Sequence, residues 1–173
     1  NRITMSNEPT ITLRAASDRD WAQIRSWLAD PDIQKWWGPS AAAEAEVITA
    51  LGSAPAIARM VEVDGEAVGY CHAIDASVWG DQLPDDLPPG TWDLDIIIGN
   101  PAHRGKGAGS IALGMLRDEV FSTTLAVAVC IFPSIENEAA VRAYEKIGFY
   151  WTRIWNDPVS GPSWFMISER PRR

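Results

Sequence analysis

Hydrophobic and polar positions change period several times along this chain, and each change marks an element. Residues 11–13 alternate, as a half-buried strand does. Ser17, Asp18 and Asp20 follow. Short polar and acidic side chains suit a helix start, where amides are free and the dipole is positive. Trp21, Ile24, Trp27 and Leu28 then recur at helical spacing. Pro31 interrupts that helix. Ile33, Trp36 and Trp37 form a short second piece, stopped by Gly38-Pro39. Residues 41–51 are alanine-rich and predict a third helix. Strands are expected at 56–63 and 67–74, joined by the Asp64-Gly65 hairpin signal. Residues 75–90, rich in Asp, Pro and Gly, read as a loop. Residues 92–98 predict the next strand, and Ile96, Ile97 and Ile98 are a run typical of a strand buried on both faces. A glycine-rich turn over 100–109, a helix over 111–120 and a strand over 125–132 complete the middle. Residues 136–147 place Ala140, Val141, Tyr144 and Ile147 on one helix face, closed by Gly148. Two strands, 150–155 and 163–167, end the pattern. The order predicts one α/β (α+β) domain with helices packed on a mixed, largely antiparallel central sheet.

Length and composition agree with that picture. The chain has 173 residues, 46% apolar and 22% charged, enough for one core without staples. The domain is expected over 10–173. Residues 1–9 are polar and aperiodic, and are expected to be disordered or vector-derived, with Met5 the natural start. The longest apolar run, 125–132, is far short of the roughly 20 residues a membrane helix needs. No signal peptide is visible. Cys71 and Cys130 lie in no metal or redox spacing, so no metal is expected and a reducing, cytoplasmic setting is.

Charge sharpens the search for a partner. The net charge of −8 argues against nucleic acid. Between Met60 and His103 there is no Lys or Arg, and nine acids stand there: Glu62, Asp64, Glu66, Asp75, Asp81, Asp85, Asp86, Asp93 and Asp95. That segment carries −9 and the rest of the chain +1. It either attracts a cationic molecule or serves solubility.

Arg104-Gly105-Lys106-Gly107-Ala108-Gly109 follows the isoleucine strand and opens a helix. Glycines admit a ligand close to the backbone, and helix-start N–H groups, through Ser110, face an anion such as a pyrophosphate. Neither a P-loop ending nor a dinucleotide fingerprint is present. About thirty residues on stand Asn137, Ala140, Tyr144, Gly148 and Phe149. With both motifs in this order, the sequence resembles the GNAT acyltransferase superfamily. It resembles the aminoglycoside 6′-N-acetyltransferases within it most, from about Leu13 to Met166. The pieces that carry this resemblance are Ile33 to Gly38 with paired tryptophans, Val68-Gly69-Tyr70, Leu94-Asp95, the glycine loop and the Tyr144 helix.

The resemblance implies acetyl-CoA as co-substrate, held by the loop amides and the Ile96, Ile97 and Ile98 strand edge. That strand would splay from the next one, and Asn137 would touch the pantetheine arm. It implies Asp95 as base toward the 6′-amine and Tyr144 as partner of the departing thiolate. Trp36 and Trp37 would open the acceptor cleft. Asp75, Asp81, Asp85, Asp86 and Asp93 are expected to meet the other ammonium groups, and Trp79 and Trp92 to pack on sugars or cations. Two positions depart from the family pattern. Phe132 stands where the family has an acid before Pro133-Ser134, and Ser160 replaces a late acid for which Asp157 is the nearest substitute. The expected protein is a cytoplasmic resistance enzyme, monomer or homodimer. Two other readings stay open from the residues. One is an acyltransferase for a siderophore precursor, polyamine or other small amine, with His72 a candidate contact. The other is a CoA-binding module without turnover, against which Asp95 and Tyr144 speak.

Overall fold

The computed structural model describes residues 7–52 and 55–172. The expectations for the first six residues therefore fall outside the described residues. Seven strands form one sheet in the order β1-β2-β3-β4-β5-β7-β6. They are β1 (Ile11–Ala15), β2 (Ala56–Val63), β3 (Glu66–Asp75), β4 (Thr91–Ile98), β5 (Ala128–Ile131), β6 (Tyr150–Asp157) and β7 (Gly161–Glu169). Only β4 and β5 run parallel; the other neighbours are antiparallel. The helices are α1 (Trp21–Leu28), α2 (Pro31–Trp37), α3 (Ser40–Gly52), α4 (Ala108–Thr123) and α5 (Glu138–Lys146). The mixed, largely antiparallel α+β domain expected from the pattern is the fold observed.

Local chemistry explains the breaks. Asp64 (φ 50°) and Gly65 (φ 82°) both sit in the left-handed region, as a two-residue hairpin turn with matching twist demands. Pro31 starts α2 rather than merely ending α1. It occupies the first turn, where its missing N–H costs nothing, and Asp30 caps it by accepting from Asp32 N at 2.9 Å. The 75–90 segment is less irregular than expected. Asp75 accepts from Ser77 N and opens a 3₁₀ stretch, Ala76–Gln82, kinked at Gly80. The strand expected over 125–132 is shorter. Leu125 is 97% exposed, and only Ala128–Ile131 is strand.

The core lies on both faces of the sheet. On one face Ile24, Trp27, Leu28 and Val47 from α1 and α3 pack on Met60, Tyr70, Ile74 and Ile97. On the other, Leu113, Leu116 and Val120 of α4 pack on Val61, Cys71, Trp92 and Leu94. Side chains alternate across a strand. In β4, therefore, Trp92 and Leu94 face α4, whereas Ile97 faces α1–α3. Asp93 and Asp95 share the parity of Ile97. Gly99 ends this strand beneath the Trp27 ring, which occupies the space a Cβ would need.

Pairing of β4 with β5 covers only Thr91↔Ala128, Trp92↔Val129 and Asp93↔Cys130. β4 continues five residues further without that neighbour. A parallel pair that parts midway opens a slot in the sheet, and the site forms there.

Candidate active site

A cleft of about 1000 Å³ opens where β4 and β5 part. Its floor carries Asp93 to Ile98. One wall comes from α2 and α3, the other from Ile131 to Ser134, α5 and the β6–β7 turn.

One end is built for an anion. Asn100 accepts from Ala102 N and caps a short 3₁₀ turn over Pro101–His103. Gly105 (φ 72°) and Gly107 (φ 86°) then take left-handed conformations, with open space where a Cβ would stand. Gly107 is the N-cap of the 16-residue α4, whose first helical bond is Ile111 N to Gly107 O. The amides before it point out of the helix start, a ready anion cradle. Gly105, Gly107, Gly109 and Ser110 line the cleft; Lys106 is exposed outside it, and Ala108 is buried in the α4 core. Arg104 also lines the cleft, but its guanidinium is committed to the strand end. It donates to Ile98 O (2.8 Å) and Gly99 O (2.9 Å) and pairs with Asp30 at 3.3 Å, tying the strand end to α2. Asn137 lines the cleft while its side chain caps α5, accepting from Ala140 N.

The other end is acidic and aromatic. Asp95 accepts from Ile96 N at 2.9 Å. Burial, then the charges of Glu46 and Asp93, hold its carboxyl well above the usual carboxylate range. Asp93 is raised too, by burial first and then by Glu46, and the Cys130 thiol lies 3.8 Å away. Trp79 lies close enough to favour charged Asp93, but its buried Nε1 misses hydrogen-bond geometry and has no partner among the described residues. Tyr144 stands on α5 across the slot. Burial and the charge of Asp95 raise its phenol, which therefore remains a proton donor. Trp36 and Trp37 line the α2 wall, and Trp37 Nε1 donates to Ile96 O at 3.2 Å. Phe132 packs at a tilt against Trp155 and Phe165, with centroids 5.2 and 5.4 Å away. Asp157 and Ser160 lie at the rim, where Asp157 accepts from Val159 N and Ser160 N.

Other expected contacts lie elsewhere. Trp92 is in the α4-side core, because its parity is opposite to that of Asp93. Asp75 caps the 3₁₀ stretch. Asp81 and Asp85 border a separate hollow of about 350 Å³, and Asp86 pairs with Arg153 at 2.7 Å. Of the nine acids in the basic-free segment, only Asp93 and Asp95 line the cleft. Glu46 does so as well, and the sequence offered no sign of it. Its Oε1 lies 3.0 Å from His72 Nε2, and His72 Nδ1 lies 2.8 Å from the Tyr70 hydroxyl. His72 is fully buried against the Trp37 edge.

Comparison with known proteins gives this geometry its family. The chain is 28% identical to an aminoglycoside N(6′)-acetyltransferase type 1 of Klebsiella pneumoniae, over 97% of this chain and 87% of that one. It superposes with a TM-score of 0.80 on the aminoglycoside acetyltransferase AAC(6′)-Ib in complex with coenzyme A and kanamycin. That structure is 27% identical, with 93% of this chain and 95% of the other covered. A spermidine N-acetyltransferase of Vibrio cholerae shares the fold alone, at 19% identity and a TM-score of 0.72 over 92% and 95% of the two chains. Residues 16–156 match the acetyltransferase (GNAT) domain family, and the chain belongs to it.

Proposed function

We propose that the protein acetylates the 6′-amine of aminoglycosides, and that the amine attacks the thioester directly. The observation that carries this reading is the pair Asp93 and Asp95. Both are recessed at the floor of the slot, and Tyr144 faces them across it. The kinship supports it, since the relatives that match nearly the whole chain are named for the same reaction.

Acetyl-CoA is the donor and supplies the activated acetyl group. This chain's residues fit it: the open Gly105 and Gly107 turn and the α4 amides offer an anion cradle, and the unpaired length of β4 offers an extended arm a backbone edge. An aminoglycoside reaches the enzyme as a polycation. Its amine must lose a proton before it can act as a nucleophile. Asp95 receives that proton, and its raised affinity for protons brings it nearer the working pH, where a general base is most effective. Asp93, Asp157 and Glu46 give the acceptor half a negative field. Tyr144 donates to the departing thiolate. Phe132, held from behind by Trp155, offers the cleft an aromatic face where the family has an acid.

Thiol release from acetyl-CoA, measured with a panel of acceptors, tests the reading. The panel contains kanamycin, tobramycin, a 6′-hydroxyl aminoglycoside, spermidine and N-hydroxylysine. Turnover of the 6′-amino drugs with none of the 6′-hydroxyl drug is expected. Turnover confined to spermidine or N-hydroxylysine would reassign the acceptor.

A further inference from the structure

Acetyl transfer to an ammonium leaves one proton over. The R–NH₃⁺ group gives its first proton to Asp95, the nitrogen lone pair forms the N–C bond, and the C–S bond breaks. The second N–H proton ends on the thiolate sulfur. The products are the amide, CoA–SH and a protonated Asp95, which must discharge before the next cycle. Asp95 lies half-buried at the cleft floor, so while donor and acceptor fill the cleft that proton needs another way out.

The groups around it supply one. His72 is the register partner of Asp95 across β3 and β4. Glu46, on α3 above them, lines the same cleft as Asp95, lies 3.0 Å from His72 Nε2, and its charge raises the Asp95 carboxyl. Its side chain is 26% exposed, whereas His72 is wholly buried. Tyr70, also buried, stays protonated and donates to His72 Nδ1. The imidazole then carries its hydrogen on Nε2 and donates to Glu46 Oε1. This leaves Oε2 free to take a proton from Asp95. The other groups facing the pair are Asp93 on β4, Tyr144 on α5 and Asp157 on β6, together with the Trp79 indole.

We propose that Glu46, oriented by the His72–Tyr70 chain, takes the reaction's surplus proton from Asp95 and releases it to solvent. His72 is a positioning residue in this scheme. The inference rests on Asp95 acting as the base.

Glu46→Gln tests it. The amide oxygen still accepts from His72, but the side chain can no longer take a proton. With whichever amine of the panel is turned over, kcat should fall about 10²-fold, the lower end of what proton transfer by a positioned group contributes. The Kd for acetyl-CoA should stay unchanged, and the acid limb of kcat/KM should move to lower pH, because a negative neighbour of Asp95 has gone. Added formate should restore part of the rate in Glu46→Ala. An unchanged kcat and acid limb with only KM raised would overturn the proposal, leaving Glu46 a contact for the acceptor. An acceptor-free arm needs no turnover. In a ¹³C-carboxyl NMR titration the Asp95 midpoint should be lower in Glu46→Gln than in wild type, and equal midpoints would overturn the coupling. Asp95→Asn separates the two ideas. If it keeps wild-type kinetics, the base assignment fails. If it is inactive while Glu46→Gln is normal, the outlet alone fails.

Discussion

At the scale of single residues, the cleft places an aspartate and a tyrosine in environments that shift both the same way, to different effect. Asp95 is raised by burial and by neighbouring acids, which makes it a better proton acceptor near neutrality. Tyr144 is raised by burial and by Asp95, which keeps it a donor. If Asp95 is the base proposed above, the acid limb of kcat/KM should lie above the ordinary aspartate value of about 3.9. Asp95→Asn should abolish that limb and cost about 10²–10⁴-fold in kcat/KM, with acetyl-CoA affinity intact. Tyr144→Phe should cost less, because water can also protonate a thiolate. The pH–rate profiles of the three proteins check both statements. An acid limb at the ordinary aspartate value would remove Asp95 as the titrating base.

At the scale of elements, most of the architecture was legible in period and punctuation, because those signals are local. The Asp64-Gly65 turn, the Pro31 start of α2 and the glycine turn before α4 each follow from backbone chemistry within a few residues. Trp92 shows where a legible signal was passed over. A strand that turns Asp93 and Asp95 to one face must turn Trp92 to the other, where it lies under α4. Glu46 shows where no signal existed. An acid in an alanine-rich helix reads as a solvated position, and only the packing of α3 over β3 brings it to His72. The isoleucine strand was read as buried on both faces. All three line the slot because β5 has already diverged, and Ile97 is buried while Ile96 and Ile98 are half-buried. The glycine turn yields a controlled prediction. Gly65 and Gly107 have similar positive φ and equally open surroundings. Alanine at either should destabilise by about 1–2 kcal/mol through left-handed strain. Only Gly107→Ala should also raise the KM for acetyl-CoA, since only Gly107 of the two lines the cleft. Equal KM values would show that the turn does not touch the donor.

At the scale of the whole molecule, the acid pair at the cleft floor works against folding. Asp93 and Asp95 both hold their protons more tightly in the fold than in the unfolded chain. The folded state therefore binds more protons between the unfolded value, about 3.9, and the raised folded value. Unfolding free energy depends on pH through the protons bound by the unfolded state minus those bound by the folded one, and for these two groups that difference is negative across the window. Their contribution to stability is greatest below the unfolded value and falls as pH rises toward the folded one. Ion pairs such as Arg14–Asp20 act in the opposite sense, because Asp20 is lowered by its partner. The wild-type curve alone would mix the two effects, but a difference between proteins isolates the cleft. Asp95→Asn removes one charge and keeps the shape. It should be more stable than wild type at pH 8, and the difference should vanish near pH 4. For a chain of this size each kcal/mol gained raises Tm by about 2–4 °C. Thermal unfolding of both proteins from pH 4 to pH 8 would show the gap opening with pH. A gap of constant size, or one that closes as pH rises, would mean that the Asp95 charge is compensated in the folded protein and is not held there at a cost.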